Sequence, residues 1–147
     1  MTEIRIYENV ARADRFIWRL LCSKILPAGQ RSVVLLPSAR RVNDLDGYLW
    51  SCDKESFIPH CLATHDLAAE TPVLLAQTGD REPEAVEVLI NCCDEMPANF
   101  AAYQSLVEIV APADSAREAA RQRVAEYESR GHRLQRFDMG AAAAAAH

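Results

Sequence analysis

The chain has 147 residues, half of them hydrophobic and a quarter charged, with a formal net charge of −5. That is the size and composition of one soluble globular domain able to bury a core without disulfide staples. The acidity argues against a protein that grips nucleic acid through its overall charge, and no apolar run approaches the roughly 18 residues of a membrane-spanning helix.

Ile4, Ile6 and Val10 alternate with polar partners, the period of a first strand. The period then switches. Phe16, Ile17, Leu20, Leu21 and Ile25 fall at helical spacing over residues 11–26, and Pro27-Ala28-Gly29 stops the run. Val33–Leu36 is a short apolar run closed by Pro37, which reads as a buried parallel strand. Val42, Leu45 and Leu49 share one face of a helix over 41–50, with Asn43 or Asp44 near its start. Phe57-Ile58 opens a short extended segment. Pro72–Ala76 and Val86–Asn91 are two further strands, separated by a loop from Gln77 to Glu84. Pro97 to Tyr103 reads as a short helix with proline in its first turn. Leu106–Val110 reads as the last strand. Ser115-Ala-Arg-Glu118 has the spacing of a capping box, and the helix it predicts runs to about Arg130, with Gly131 as its C′ residue. Gly140, six alanines and His147 form an Ala-rich tail, or a remnant of expression, outside the domain at 1–139.

Strands alternating with helices predict an α/β fold: a mostly parallel central sheet with helices on both faces. Such sheets often hold nucleotides, but this chain lacks the means. A phosphate cradle needs closely spaced glycines so that backbone N–H groups can approach the anion, and the five glycines (29, 47, 79, 131, 140) are scattered. Ser38 with Arg40 and Arg41 is the one place left for a phosphate, and Ser-Ala-Arg-Arg is equally a plain helix start. The expected topology is Rossmann-like without a phosphate loop, and no cofactor is expected.

Five cysteines (Cys22, Cys52, Cys61, Cys92, Cys93) are an odd number, and Glu3, Arg5 and Glu8 stand where a signal peptide would be apolar. Both predict free thiols in a reducing cytoplasm. Adjacent Cys92 and Cys93 lack the two-to-four-residue spacing of structural zinc pairs and read as small buried apolar residues. His60, His65 and His132 sit in no nucleophile motif, His60 reading as a surface or interface residue, and Asp94-Glu95 and Asp44/Asp46 read as solvated. No residue set supports catalysis.

The charge is uneven. Residues 112–139 carry six arginines (117, 121, 123, 130, 133, 136) against five acids (114, 118, 126, 128, 138), a local net of +1 that leaves −6 elsewhere. Arg117, Arg121 and Val124 share one face of the last helix, while Ala116, Ala119, Ala120 and Tyr127 serve its sheet side. Guanidiniums beside an apolar patch suit an acidic peptide with a hydrophobic end. From the residues alone, the stronger reading of the same face is a solvated one paired with Glu118 and Glu126. Trp50 and Phe57, around a polar turn before Ile58-Pro59-His60, are either interface anchors or core aromatics.

Leu49, Trp50, Glu55, Ser56, Phe57, Ile58, Pro59 and His60 together make a segment that resembles the chi subunit of bacterial DNA polymerase III. The likeness continues through Phe100-Ala-Ala, Val107-Glu108, Val110, Asp114-Ser115, Arg121, Arg123 and Tyr127. It implies a nucleotide-binding-like α/β domain without a nucleotide, acting as an adaptor with no active site. It implies one surface for the acidic C-terminal tail of single-stranded DNA-binding protein, which ends in Ile-Pro-Phe. Carried over by position, this surface is Val110, Arg117 (often Lys in relatives), Arg121 and Val124 (often Tyr, so a hydroxyl and ring area are lost). It implies a second surface, Trp50 and Phe57, for the psi subunit of the clamp-loader complex, a region the family also uses for a repair helicase. Strong direct DNA binding is not expected. The rivals are a small nucleotide-dependent enzyme or regulator on the same topology, opposed by the missing glycine loops, and a direct single-strand DNA binder, opposed by the net acidity.

Overall fold

The structure is a computed structural model that describes residues 2–52 and 58–140. Its centre is a seven-stranded sheet in the order β3-β4-β2-β5-β6-β1-β7, with every neighbouring pair parallel. The strands are β1 (Glu3–Glu8), β2 (Ser32–Leu36), β3 (His60–Leu62), β4 (Val73–Gln77), β5 (Val88–Asn91), β6 (Ser105–Ile109) and β7 (Leu134–Asp138). The helices are α1 (Ala13–Leu20, prolonged by a π-helical turn at Leu21–Ile25), α2 (Ala39–Ser51) and α3 (Asp114–Ser129).

A parallel sheet must be covered on both faces, and its strands are accordingly apolar on both. On one face, Ile17, Leu20, Leu21 and Ile25 of α1 and its π turn and Val42, Leu45 and Leu49 of α2 pack on Val34, Leu36, Leu75 and Ile90. On the other, Ala120, Val124 and Tyr127 of α3 pack with Ile4, Ile6, Leu106 and Phe100. Among the described residues, the second face has a single long helix. The β4–β5 connection holds no helix, and the β5–β6 connection holds only a 3-10 turn at Phe100–Ala102.

Several local expectations are corrected. The 97–103 segment makes this 3-10 turn in place of a longer helix. β5 starts at Val88, two residues later than the apolar run suggests. Helix α2 starts well before Asn43: the Ser38 side chain caps it, accepting from the Arg41 N–H at 3.3 Å. That assigns Ser-Ala-Arg-Arg to helix initiation. The capping box does not form. Helix α3 begins at Asp114 behind an extended Ala113 that makes no side-chain cap. Ser115 is therefore already helical and cannot cap, and Glu118 turns instead to Arg121. Asp114 in the first turn complements the helix dipole. At the other end Gly131, with φ +85°, is the C′ residue the spacing predicts.

Strand β7 is absent from the sequence-based expectation, which ends the sheet at β6. Its residues are mostly exposed because, among the described residues, it is an edge strand that pairs with β1 alone, as in Tyr7↔Phe137. Only Leu134 and Phe137 in it are apolar, too few to register as a pattern. The five cysteines are all at least partly buried.

One guanidinium fastens the loops beside β4 and β5. Arg31 donates to the carbonyl oxygens of Ala68 (2.6 Å), Thr71 (3.1 Å), Glu84 (3.1 Å) and Ala85 (3.0 Å). Lysine has three donors on one atom and cannot reach four carbonyls in this fan. Arg31→Lys should therefore lower stability by about 1–2 kcal/mol, read as a lower urea midpoint with an unchanged slope.

Candidate partner-binding surfaces

The α3 surface is set by what the helix buries. Arg123 and Tyr127 point inward from α3 and meet Glu108, a carboxylate on the central strand β6 that is 1% exposed. Glu108 Oε2 accepts from Arg123 Nε at 2.5 Å and from Tyr127 Oη at 3.1 Å, while Oε1 accepts from Asn91 Nδ2 at the end of β5. Arg123 Nη1 also donates to the Asp94 carbonyl, in the loop after β5. Burial pushes the Glu108 carboxyl up, and Arg123 pulls it back, helped by the Asn91 and Tyr127 hydrogen bonds. Burial, then the charge of Glu108, raises the Tyr127 phenol strongly. The bonds from Arg123 and Tyr127 to Glu108 thus hold α3 in one rotation, and Asn91 steadies the carboxylate from the β5 side.

That rotation decides the fate of the predicted tail-binding residues. Helical steps of about 100° place Arg117 and Arg121 away from the buried Arg123–Tyr127 face. Arg117 is exposed and lies 3.9 Å from Asp114; Arg121 is 74% exposed and donates to Glu118 at 2.9 Å. Both contacts are local i,i+3 pairs that leave the guanidiniums at the surface. Val124 lies at the border of the buried face and is only 5% exposed; Val110, just after β6, is 2% exposed. Both belong to the core under α3, so of the four residues that the resemblance assigns to this surface the two arginines are exposed and the two valines are buried. Val110 retains one opening. It lines a cleft of about 140 Å³ at the carboxyl ends of β5 and β6, together with Ala111, Ala116, Arg41, Cys92 and Arg123.

At the other end of the sheet, Trp50 near the end of α2 is 58% exposed. Its ring leans on that of His60, with centroids 5.1 Å apart. His60, which reads from the sequence as a surface or interface residue, is not exposed: its side chain is fully buried. Its Nδ1 lies 2.7 Å from the Ile58 carbonyl oxygen and its Nε2 3.0 Å from Asp46 Oδ1. Asp46 stands one helical turn before Trp50, so carboxylate, imidazole and indole form a braced stack at the sheet edge. Leu62, on the same strand as His60, is also exposed. Phe57, the other predicted anchor, lies outside the described residues.

The sequence reading missed the Glu108 cluster and the Asp46–His60 brace. A signal existed for the first: an acid between Val107 and Ile109 on a strand buried on both faces requires a cation. For the second no local signal existed.

Known proteins now give these surfaces a context. Residues 1–135 match the family described as DNA polymerase III chi subunit, HolC. The DNA polymerase III subunit chi of Pseudomonas aeruginosa is 38% identical over 93 residues, a match that spans 63% of each protein and so less than two thirds of that relative. The subunit of the same name from Haemophilus influenzae is 24% identical over 120 residues, covering 82% of this chain and 83% of that one. Among solved structures, the C-terminal domain of the DEAD-box protein Dbp5 superposes with a TM-score of 0.63 at 16% identity, over 95% of this chain and 91% of that one. This last likeness concerns the fold alone, a parallel α/β sheet. The match over residues 1–135 and the two subunits of one name agree: the chain belongs to the DNA polymerase III chi subunit family.

Proposed function

We propose that the chain is a non-catalytic adaptor of DNA replication that joins psi, and through it the clamp-loader complex, to the acidic C-terminal tail of single-stranded DNA-binding protein. The observation that carries this reading is the pair of outward guanidiniums, Arg117 and Arg121, on a helix locked by a buried ion pair. The locked helix fixes the positions from which the two side chains reach out, and guanidinium binds carboxylates two oxygens at a time. The apolar tip of the tail meets Val110 through the cleft that Val110, Ala111 and Ala116 line. Val124 acts from below, by seating α3.

Psi binds at the Trp50 stack. A large exposed indole braced from beneath is the kind of rigid aromatic anchor that dominates interfaces, and Leu62, exposed on β3, extends the same contact; Phe57 is the second anchor that the family resemblance assigns. With two sites on one rigid body, engagement of one raises the local concentration at the other. The chain binds DNA weakly if at all, because its net charge of −5 repels phosphates.

Calorimetry with a peptide ending in Ile-Pro-Phe, with and without its last residue, tests the reading. Removing the Phe should cost about tenfold or more in affinity. Binding of the whole peptide should also weaken from about 0.1 M to about 1 M salt, as the screening length drops from about 10 to about 3 Å. Affinity indifferent to both changes would reject the arginine face as the tail site.

A further inference from the structure

The sheet face under α3 is covered unevenly, and the gap has the form of a second binding site. Helix α3 lies over β6, β1 and β7, while loops take the place of a helix over β4, β2 and β5. Leu35 shows the consequence. It sits on β2, hydrogen-bonded on both sides, and is nevertheless only half-buried, whereas Val34 and Leu36, pointing to the opposite face, are fully buried. Above it is a cavity of about 250 Å³, floored by Val33, Leu35, Ala76 and Leu89 and walled by the 78–83 and 95–98 loops.

Asn99 Nδ2 donates to Glu82 Oε2 at 3.0 Å and ties the two walls together. The Cys93 thiol, hydrogen-bonded with Thr78 Oγ1, is pushed up by burial and closes the inner end as a neutral group. The rim carries Asp80, Glu82 and Glu95 against Arg81 alone, three carboxylates to one guanidinium.

We propose that this cavity is a docking site for a partner polypeptide that inserts one phenylalanine-sized apolar side chain and lays flanking lysines or arginines on the acidic rim. The volume decides between occupants. It falls below the roughly 300–1,000 Å³ of pockets that enclose whole cofactors or drug-sized ligands, but suits a single side chain. The floor supplies apolar contact, and Met96 in the wall is an adaptable lining. The rim selects the sign of the partner: it repels phosphates and the acidic tail that the α3 arginines attract, so the two sites take partners of opposite charge.

The test is a two-dimensional amide NMR titration of the full chain with a capped Lys-Arg-Phe-Lys-Arg peptide. Shifts are expected at Leu35, Ala76 and Leu89. Exchanging the peptide Phe for Ala should weaken binding about tenfold or more, and Glu95→Lys, an exposed change, about threefold. Ala76→Phe should abolish binding by filling the cavity from its floor. If that variant fails to fold, Glu95→Lys still decides, because its side chain lies outside the core. Peptide binding indifferent to its Phe, shifts confined to the acidic loops, or no shift at millimolar peptide would overturn the proposal. The Ile-Pro-Phe peptide should bind Glu95→Lys as it binds the unaltered chain, so failure here leaves the adaptor reading standing.

Discussion

Arg121→Ala is expected to weaken binding of an acidic peptide ending in Ile-Pro-Phe by about 5- to 30-fold, the loss of roughly 1–2 kcal/mol, while leaving stability and psi binding unchanged. Its side chain is largely in water, and its one pairing, with Glu118 a turn earlier, is of a kind worth about 0.3–0.5 kcal/mol to a helix. Folding therefore loses almost nothing. Binding loses a charge-assisted hydrogen bond to a carboxylate.

Trp50→Ala should do the reverse. Removing a centrally placed exposed indole costs about 2 kcal/mol or more at an interface, and the tail peptide, bound at the far end of the sheet, should not sense it. Titration of both variants with both partners separates the outcomes. If each variant loses both partners to the same degree, the two-surface reading fails.

Arg123→Met should cost about 3–5 kcal/mol at neutral pH, the range for breaking a buried ion pair from one side. The cause is Glu108, left without its cation on a strand with no access to water. Desolvation already pushes its carboxyl up, and Arg123 is the main opposing influence. In the variant the folded-state value rises further above the ordinary carboxyl range, so the folded chain holds a proton that the unfolded chain releases. Stability relative to the unaltered protein should then be best preserved below about pH 4, near the unfolded carboxyl value. It should fall as pH rises toward the raised folded value. Urea melts across pH measure this. The double change Glu108→Leu with Arg123→Met should regain part of the loss, since a buried pair is replaceable by apolar groups. Recovery stays partial because Tyr127 Oη loses the acceptor it has in Glu108. A variant as stable as the original at pH 7 would mean that Glu108 does not depend on Arg123.

The two surfaces were legible to different depths. Arg117 and Arg121 could be placed together because residues four apart on a helix share a face whatever the helix packs on. Val124 could not be placed correctly by that rule. It falls at the border between the arginine face and the buried face, and which side it joins depends on how far Arg123 and Tyr127 rotate inward to reach Glu108. Of the reading of His60 as a surface or interface residue, exposure fails for a related reason: its partner, Asp46, is supplied from another element. The capping box failed on a matter of one residue, because Pro112-Ala113 leads the chain into the helix at Asp114.

The alternation of strands with the three main helices, the parallel sheet and the stop at Gly131 were written in the one-dimensional pattern, because burial periodicity and backbone permissiveness act between near neighbours. Tertiary structure alone recruited β7 as an edge strand, paired Glu108 with Arg123, braced His60 against Asp46 and left a cavity above Leu35. Each of these joins residues far apart in the chain or depends on a helix that is not there, and spacing along a sequence carries no record of either.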